Sequence, residues 1–99
     1  MAQSILQRRL VDVSERLKRL RAELAVTEEQ LAFLEEEAES ARLRALMAET
    51  PLGDLDARET RRHADAQAKH RDALAHSIAD LVAEQDSLLD RMSAEMTNQ

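Results

Sequence analysis

The fold is decided by the stretch Glu49-Thr50-Pro51-Leu52-Gly53, which lies at the midpoint of the 99-residue chain. Pro51 and Gly53 are the only proline and the only glycine in the sequence. These residue types are the strongest helix breakers, because proline lacks a backbone N–H and glycine loses the most conformational freedom in a helix. The stretch therefore predicts one reversal of the chain, with a long helix on each side.

Apolar residues on both sides of this reversal recur at heptad spacing. The first half carries two rows in which Thr27 is the only polar residue: Leu10, Leu17, Leu24, Leu31, Ala38 and Ala45 at the a positions, and Leu6, Val13, Leu20, Thr27, Leu34, Ala41 and Ala48 at the d positions. The second half continues with Ala57, Ala64, Ala68, Leu74, Ile78, Leu81, Leu88 and Met92. A repeat of this length is typical of a coiled coil.

We therefore predict an all-α protein, a long antiparallel two-helix coiled-coil hairpin able to pair with a second hairpin in a four-helix bundle. The expected boundaries within this single domain, residues 1–99, are 3–49 for the first helix, 50–56 for the tip and 57–96 for the second helix. Gly53 is expected to adopt a positive φ in the tip. Asp54 or Asp56 is expected to cap the second helix.

A pairing rule follows from the position of the turn. If the turn is centred at residues 52–53, residues that face each other across the two helices have numbers that sum to about 105. Ala48 then faces Ala57, and apolar residues meet apolar residues along both helices. Gln85 is expected opposite Leu20, where a buried polar group would select the register at a cost in stability.

Charged residues form bands that suit the same antiparallel arrangement. The net charge is −6, with +4 in residues 1–22 and −7 in residues 23–40, which hold seven glutamates and no basic residue. The first band faces an acidic segment at 83–99, and the basic segment 61–71 faces an acidic one, so opposite charges meet. The acidic balance, and basic residues without interleaved aromatics, predict no direct nucleic-acid contact.

Several apolar side chains remain outside the pairing of the two helices. The second helix carries a further row at Ala68, Ala75, Val82, Leu89 and Met96, and the first helix leaves Val26 and Phe33 on its outer side. Two helices cannot enclose such rows. The predicted interaction surface is Ala75, Val82, Leu89, Met96, Val26 and Phe33. The expected partner is a second copy in a homodimer, or a larger protein complex.

The sequence offers little for catalysis. It has no cysteine, and its histidines lack the spacing of a metal site, so we expect no catalytic residues, cofactor or metal ion. The amino-terminal residues lack the apolar run of a signal peptide, and no later segment resembles a membrane span. We therefore expect a non-enzymatic cytoplasmic protein without a membrane partner.

The tip carries three carboxylates that suggest an alternative function. The segment Gly53-Asp54-Leu55-Asp56-Ala57-Arg58-Glu59 resembles the hairpin tip of the Gre transcript-cleavage factors and, more distantly, of DksA-type regulators. These families insert an acidic-tipped hairpin into the RNA polymerase secondary channel, and the resemblance implies the same partner here. Asp54 matches the first tip carboxylate. Ala57 stands where the second is expected, which leaves Asp56 or Glu59 as the substitute.

Overall fold

The structure, a computed structural model, describes residues 4–97 and confirms the all-α class. It contains two α-helices, α1 (Ile5–Ala48) and α2 (Pro51–Thr97), joined by Glu49 and Thr50. The helices run antiparallel, so the predicted helical hairpin is confirmed. The expected start of the first helix at residue 3 lies outside the described residues.

Contacts divide the hairpin into two compact units. The terminal unit comprises Met1–Glu23 and Leu74–Gln99, and the turn unit is Leu24–Ala73. The core of the terminal unit is built from large aliphatic side chains: Leu6, Val13, Leu17, Leu81 and Leu88. The buried residues of the turn unit are mainly alanines: Leu31, Ala38, Ala41, Ala45 and Ala64, with Thr27. The two units therefore have different cores. The small side chains of the turn unit let its two helices approach closely.

Each helix begins with a side-chain cap. At the start of α1, the Gln7 backbone N–H donates to Ser4 Oγ at 3.1 Å, and the Ser4 N–H donates to Gln7 Oε1 at 2.9 Å. This reciprocal pair is a capping box with glutamine at its third helical position. At the start of α2, the Gly53 N–H donates to Thr50 Oγ1 at 3.1 Å. Thr50 is therefore the cap of α2.

The predicted tip at 50–56 and the predicted helix start at 57 are wrong, because α2 begins at Pro51. Proline suits the first position of a helix, where its missing N–H would have no intrahelical partner. The proline that stops α1 therefore also starts α2. Asp54 and Asp56 lie inside the helix, so the expectation that either caps it is wrong as well.

The reversal depends on Glu49 rather than on Gly53. Glu49 has a φ of 50°, in the left-handed region, and its N–H donates to the Ala45 carbonyl at 3.0 Å. This bond is the one that closes a helix in the αL termination motif. The positive φ expected at Gly53 is wrong. A Cβ at Gly53 would lie 3.5 Å from Ala45 Cα and 3.1 Å from Thr50 Oγ1, so this glycine sits where the helices approach closely.

The pairing of residues between the two helices differs from the predicted sum of 105 by about one heptad. Gln85 Nε2 donates to Ser14 Oγ at 3.1 Å in the terminal unit, a pair whose numbers sum to 99 instead of 105. Gln67 Nε2 donates to Gln30 Oε1 at 2.9 Å in the turn unit, a pair that sums to 97. The predicted contact of Gln85 with Leu20 is therefore wrong. Heptad rows match equally well after a shift of seven residues, so the short turn decides the register.

The predicted pairing of opposite charges is confirmed at two positions. Arg9 Nε donates to Glu84 Oε1 at 2.7 Å in the terminal unit. Arg61 Nη2 donates to Glu35 Oε1 at 2.7 Å in the turn unit. Each pair joins two of the predicted bands. Exposed ion pairs contribute about 0–1 kcal/mol each, so they favour the register more than they stabilise the fold.

We expect Glu49→Gly to raise the free energy of unfolding by about 0.5–1 kcal/mol, because glycine adopts a positive φ without the steric cost of a Cβ. Urea unfolding followed by circular dichroism measures the change. The matched control is Glu59→Gly in the interior of α2, which should instead lose about 1 kcal/mol. A loss of stability in both variants would contradict the left-handed conformation of Glu49.

We expect a disulfide to form in the variant Ala45→Cys/Gly53→Cys after oxidation. A Cβ placed at Gly53 lies 3.9 Å from Ala45 Cβ, and disulfides join Cβ atoms about 3.5–4.5 Å apart. The control is Ala48→Cys/Ala57→Cys, the pair brought together by the rule of 105, which should remain reduced or link different molecules. Mass spectrometry of the monomer band reports the linkage. If the control variant formed the intramolecular disulfide and Ala45→Cys/Gly53→Cys did not, the longer turn predicted from the sequence would be correct.

Candidate interaction surfaces

The predicted apolar row of α2 is only partly available in the terminal unit. Val82 is half-buried and packs against the aliphatic core. Leu89 is 47% exposed and Met96 is 75% exposed, while Ala75 is also exposed but offers only a methyl group. The accessible apolar area of this row therefore comes mainly from Leu89 and Met96.

The two predicted residues of α1 are exposed in the turn unit. Val26 is 53% exposed and Phe33 is 61% exposed. They lie one heptad apart, so they project from the same side of the helix. Phe33 also borders a groove of about 470 Å³ that it shares with Gln30, Leu34 and Gln67. The only aromatic ring of the protein is therefore presented at the surface.

The structure also exposes five large apolar side chains near the reversal that the sequence reasoning missed. We call this set the apex cluster for its position in the chain, and its members are Leu43, Leu46 and Met47 at the end of α1 and Leu52 and Leu55 at the start of α2. Met47 is 87% exposed and Leu52 is 76% exposed. These residues lie off the heptad rows at spacings of three and four, which was the available signal. Helical spacing has no meaning for Leu52 and Leu55 in the loop expected at 50–56, whereas Leu43, Leu46 and Met47 lie within the helix predicted at 3–49.

The three tip carboxylates lie on exposed turns of α2 rather than in a loop. Asp54 and Asp56 are two residues apart in a helix, so they project from nearly opposite sides. Asp54 borders a groove with Leu46 and Arg58. Asp56 Oδ2 lies 3.5 Å from Arg44 Nη2. Over residues 4–97, no cluster of three acidic, histidine or cysteine side chains is placed to hold a metal ion.

The role of these carboxylates in an RNA polymerase channel therefore stays a prediction. Asp54 and Asp56 would need different neighbours in the channel, because the helix separates them. Glu59 lies one turn after Asp56 and is exposed. Glu59 follows Asp54 in the sequence and therefore lies further from the reversal.

Neither helix, within the described part of the chain, has a segment of the length and apolar character needed to cross a membrane. No family model matches the chain, and neither a curated protein nor a solved structure is significantly similar to it.

We expect Val82→Glu and Leu89→Glu to differ in their effect on folding. Val82→Glu places a charge against the aliphatic core and should cost about 1–3 kcal/mol of unfolding free energy. Leu89→Glu changes an exposed side chain and should cost less than about 0.5 kcal/mol. Urea unfolding is measured where stability no longer depends on protein concentration, so that assembly does not contribute. Equal losses would show that Leu89 also belongs to the core.

Proposed function

We propose that this protein is a non-enzymatic assembly module that binds through exposed apolar rows of its helices, first to a second copy of itself. The observation that carries this proposal is the distribution of large apolar side chains. Eleven of them are exposed in the described residues, whereas seven leucines and valines are buried. Two pairs of them, Val26 with Phe33 and Leu89 with Met96, have heptad spacing, and exposed contiguous apolar surface marks binding sites.

The architecture supports a partner made of helices. A two-helix layer buries one side of each helix and leaves the others to solvent, and packing a second layer against it is the usual solution. A stable interface buries about 800 Å² on each partner. The chain exposes 7492 Å² in total, which is several times that area. A second hairpin would then complete a four-helix bundle.

The titratable groups whose pKa is shifted belong to exposed ion pairs of the turn unit. A hydrogen bond from Arg42 lowers the pKa of the Glu39 carboxyl, and a hydrogen bond to Glu35 raises the pKa of the Arg61 guanidinium. Both shifts come from exposed ion pairs, whereas catalytic groups are tuned mainly by burial and by charges inside a cleft. A cytoplasmic location stays a prediction, as does docking on a larger complex.

The test of this function is the oligomeric state. Sedimentation equilibrium of the wild-type protein should show a mass above the monomer's 11.2 kDa at about 10–100 µM. Leu89→Glu should raise the concentration needed for assembly by about tenfold, which corresponds to about 1.4 kcal/mol. The variant should keep its helix content, because this side chain is exposed.

The matched control is Ser87→Glu, which adds the same charge to an exposed position of α2. Ser87 lies two residues before Leu89 and projects from nearly the opposite side of the helix. It should leave the assembly unchanged. A wild-type protein that remains monomeric across this range would refute self-association, and equal effects of both substitutions would refute the role of Leu89.

A further inference from the structure

One side of the turn unit holds a groove rich in arginine. The groove has a volume of about 480 Å³ and lies between α1 and α2, with Ala38 and Ala57 among its lining residues. Ala38 is only 3% exposed, so the floor of the groove is apolar. Its sides carry four guanidinium groups, those of Arg42, Arg58, Arg61 and Arg62, and two carboxylates, those of Glu39 and Asp65, so its formal charge is positive. We call it the arginine groove.

Two of these arginines have partners and two do not. Arg42 Nη2 lies 2.7 Å from Glu39 Oε1, and Arg61 bonds to Glu35 and Asp65. Arg58 and Arg62 make no ion pair or hydrogen bond with any residue in the range 4–97. They are four residues apart on α2, so they project from the same side of the helix on consecutive turns. Two guanidinium groups without an ion pair or hydrogen bond therefore lie beside the apolar floor of the groove.

The opposite side of the turn unit has complementary chemistry. The exposed residues Val26, Glu29, Phe33, Glu36 and Glu37 lie on one side of α1, and we call them the acidic ridge. Its three glutamates have no bonded partner within the described chain. The ring of Phe33 stands between them, since Glu29 is four residues before it and Glu36 and Glu37 are three and four after it.

The ridge cannot reach the groove of its own hairpin. Phe33 and Arg42 are nine residues apart on α1, which corresponds to half a turn around the helix axis. The ridge and the arginine groove therefore face away from each other. Any contact between them must join two different molecules.

We infer that the arginine groove of one copy binds the acidic ridge of a second copy. Phe33 packs on the alanine floor, where the guanidinium groups of Arg58 and Arg62 can also stack on its ring. The carboxylates of Glu36 and Glu37 accept hydrogen bonds from those arginines, whose planar donor pairs match carboxylate geometry. The inference names surfaces for the assembly function proposed above and rests on it only for the identity of the partner.

The geometry of this contact has a consequence for the assembly. Because groove and ridge are different surfaces on opposite sides, binding leaves a free groove on one copy and a free ridge on the other. A contact of this kind adds further copies instead of closing a dimer. It is also distinct from the apolar contact through Leu89 in the terminal unit.

The experiment uses charge reversal in full-length protein that carries Leu89→Glu, which weakens the apolar contact. In sedimentation equilibrium at about 0.2–1 mM, we expect the mass of this parent to pass that of a dimer. Arg58→Glu/Arg62→Glu places glutamates opposite the ridge and should leave nothing larger than the dimer that the weakened apolar contact still forms. Glu36→Arg/Glu37→Arg should do the same. A chain that carries all four reversals should regain the assembly of the parent, since opposite charges meet again.

The control is Lys18→Glu/Arg21→Glu, which changes the charge by the same amount at two exposed positions of the terminal unit. It should leave assembly unchanged, and circular dichroism should show equal helix content throughout. Raising the salt from about 0.05 M to about 0.5 M should weaken assembly of the parent by at least about tenfold, because the interacting charges are exposed.

Failure of the four-reversal chain to pass the mass of a dimer, or assembly of the groove variant beyond a dimer at the parent's concentration, would overturn the inference. A parent that does not pass the mass of a dimer at the highest concentration would overturn it as well. None of these results tests the apolar contact. That contact is tested by comparing the assembly of the wild-type protein with that of Leu89→Glu. Conversely, equal assembly of those two proteins would refute the contact through Leu89 and leave the groove contact standing.

Discussion

The two-residue connection between the helices is the constraint on which the rest of the structure depends. Glu49 closes α1 in a left-handed conformation, and Thr50 caps α2 through its hydroxyl group. With Pro51 already helical, no residue is left over to form a loop. The length of the connection sets which residues of α1 and α2 face each other, and therefore which side chains are buried.

The register in turn decides which polar groups find partners. Ser14 meets Gln85, and Glu35 meets Arg61, because the helices are shifted by about seven residues from the arrangement that a longer turn would produce. The same shift leaves Arg58 and Arg62 beside an alanine floor without an ion pair or hydrogen bond to any residue in the range 4–97. The surface chemistry that suggests assembly is thus a consequence of the turn, even though these arginines lie up to a dozen residues away from it.

Most of the fold could be predicted from the sequence, because heptad spacing and a single proline and glycine leave few alternatives to a helical hairpin. The prediction is wrong for residues 50–56, because Pro51 and Gly53 do not act only as helix breakers there. Proline disfavours the interior of a helix but suits its first position, and Gly53 is needed for close approach to Ala45 rather than for its φ. The candidate site was predicted less well. Phe33 and Leu89 are exposed as expected, whereas Val82 packs on the core and the apex cluster was missed.

The sequence by itself determined the helical class, the antiparallel hairpin and the charge bands that meet across it, because these depend on residue type and periodicity. Only the tertiary structure decided the register, the exposure of the apex cluster and the separation of the acidic ridge from the arginine groove. A heptad repeat is unchanged by a shift of seven residues, so periodicity cannot distinguish the two registers. The difference lies in the conformation of Glu49 and the cap at Thr50, which place the first turn of α2 directly against the last turn of α1.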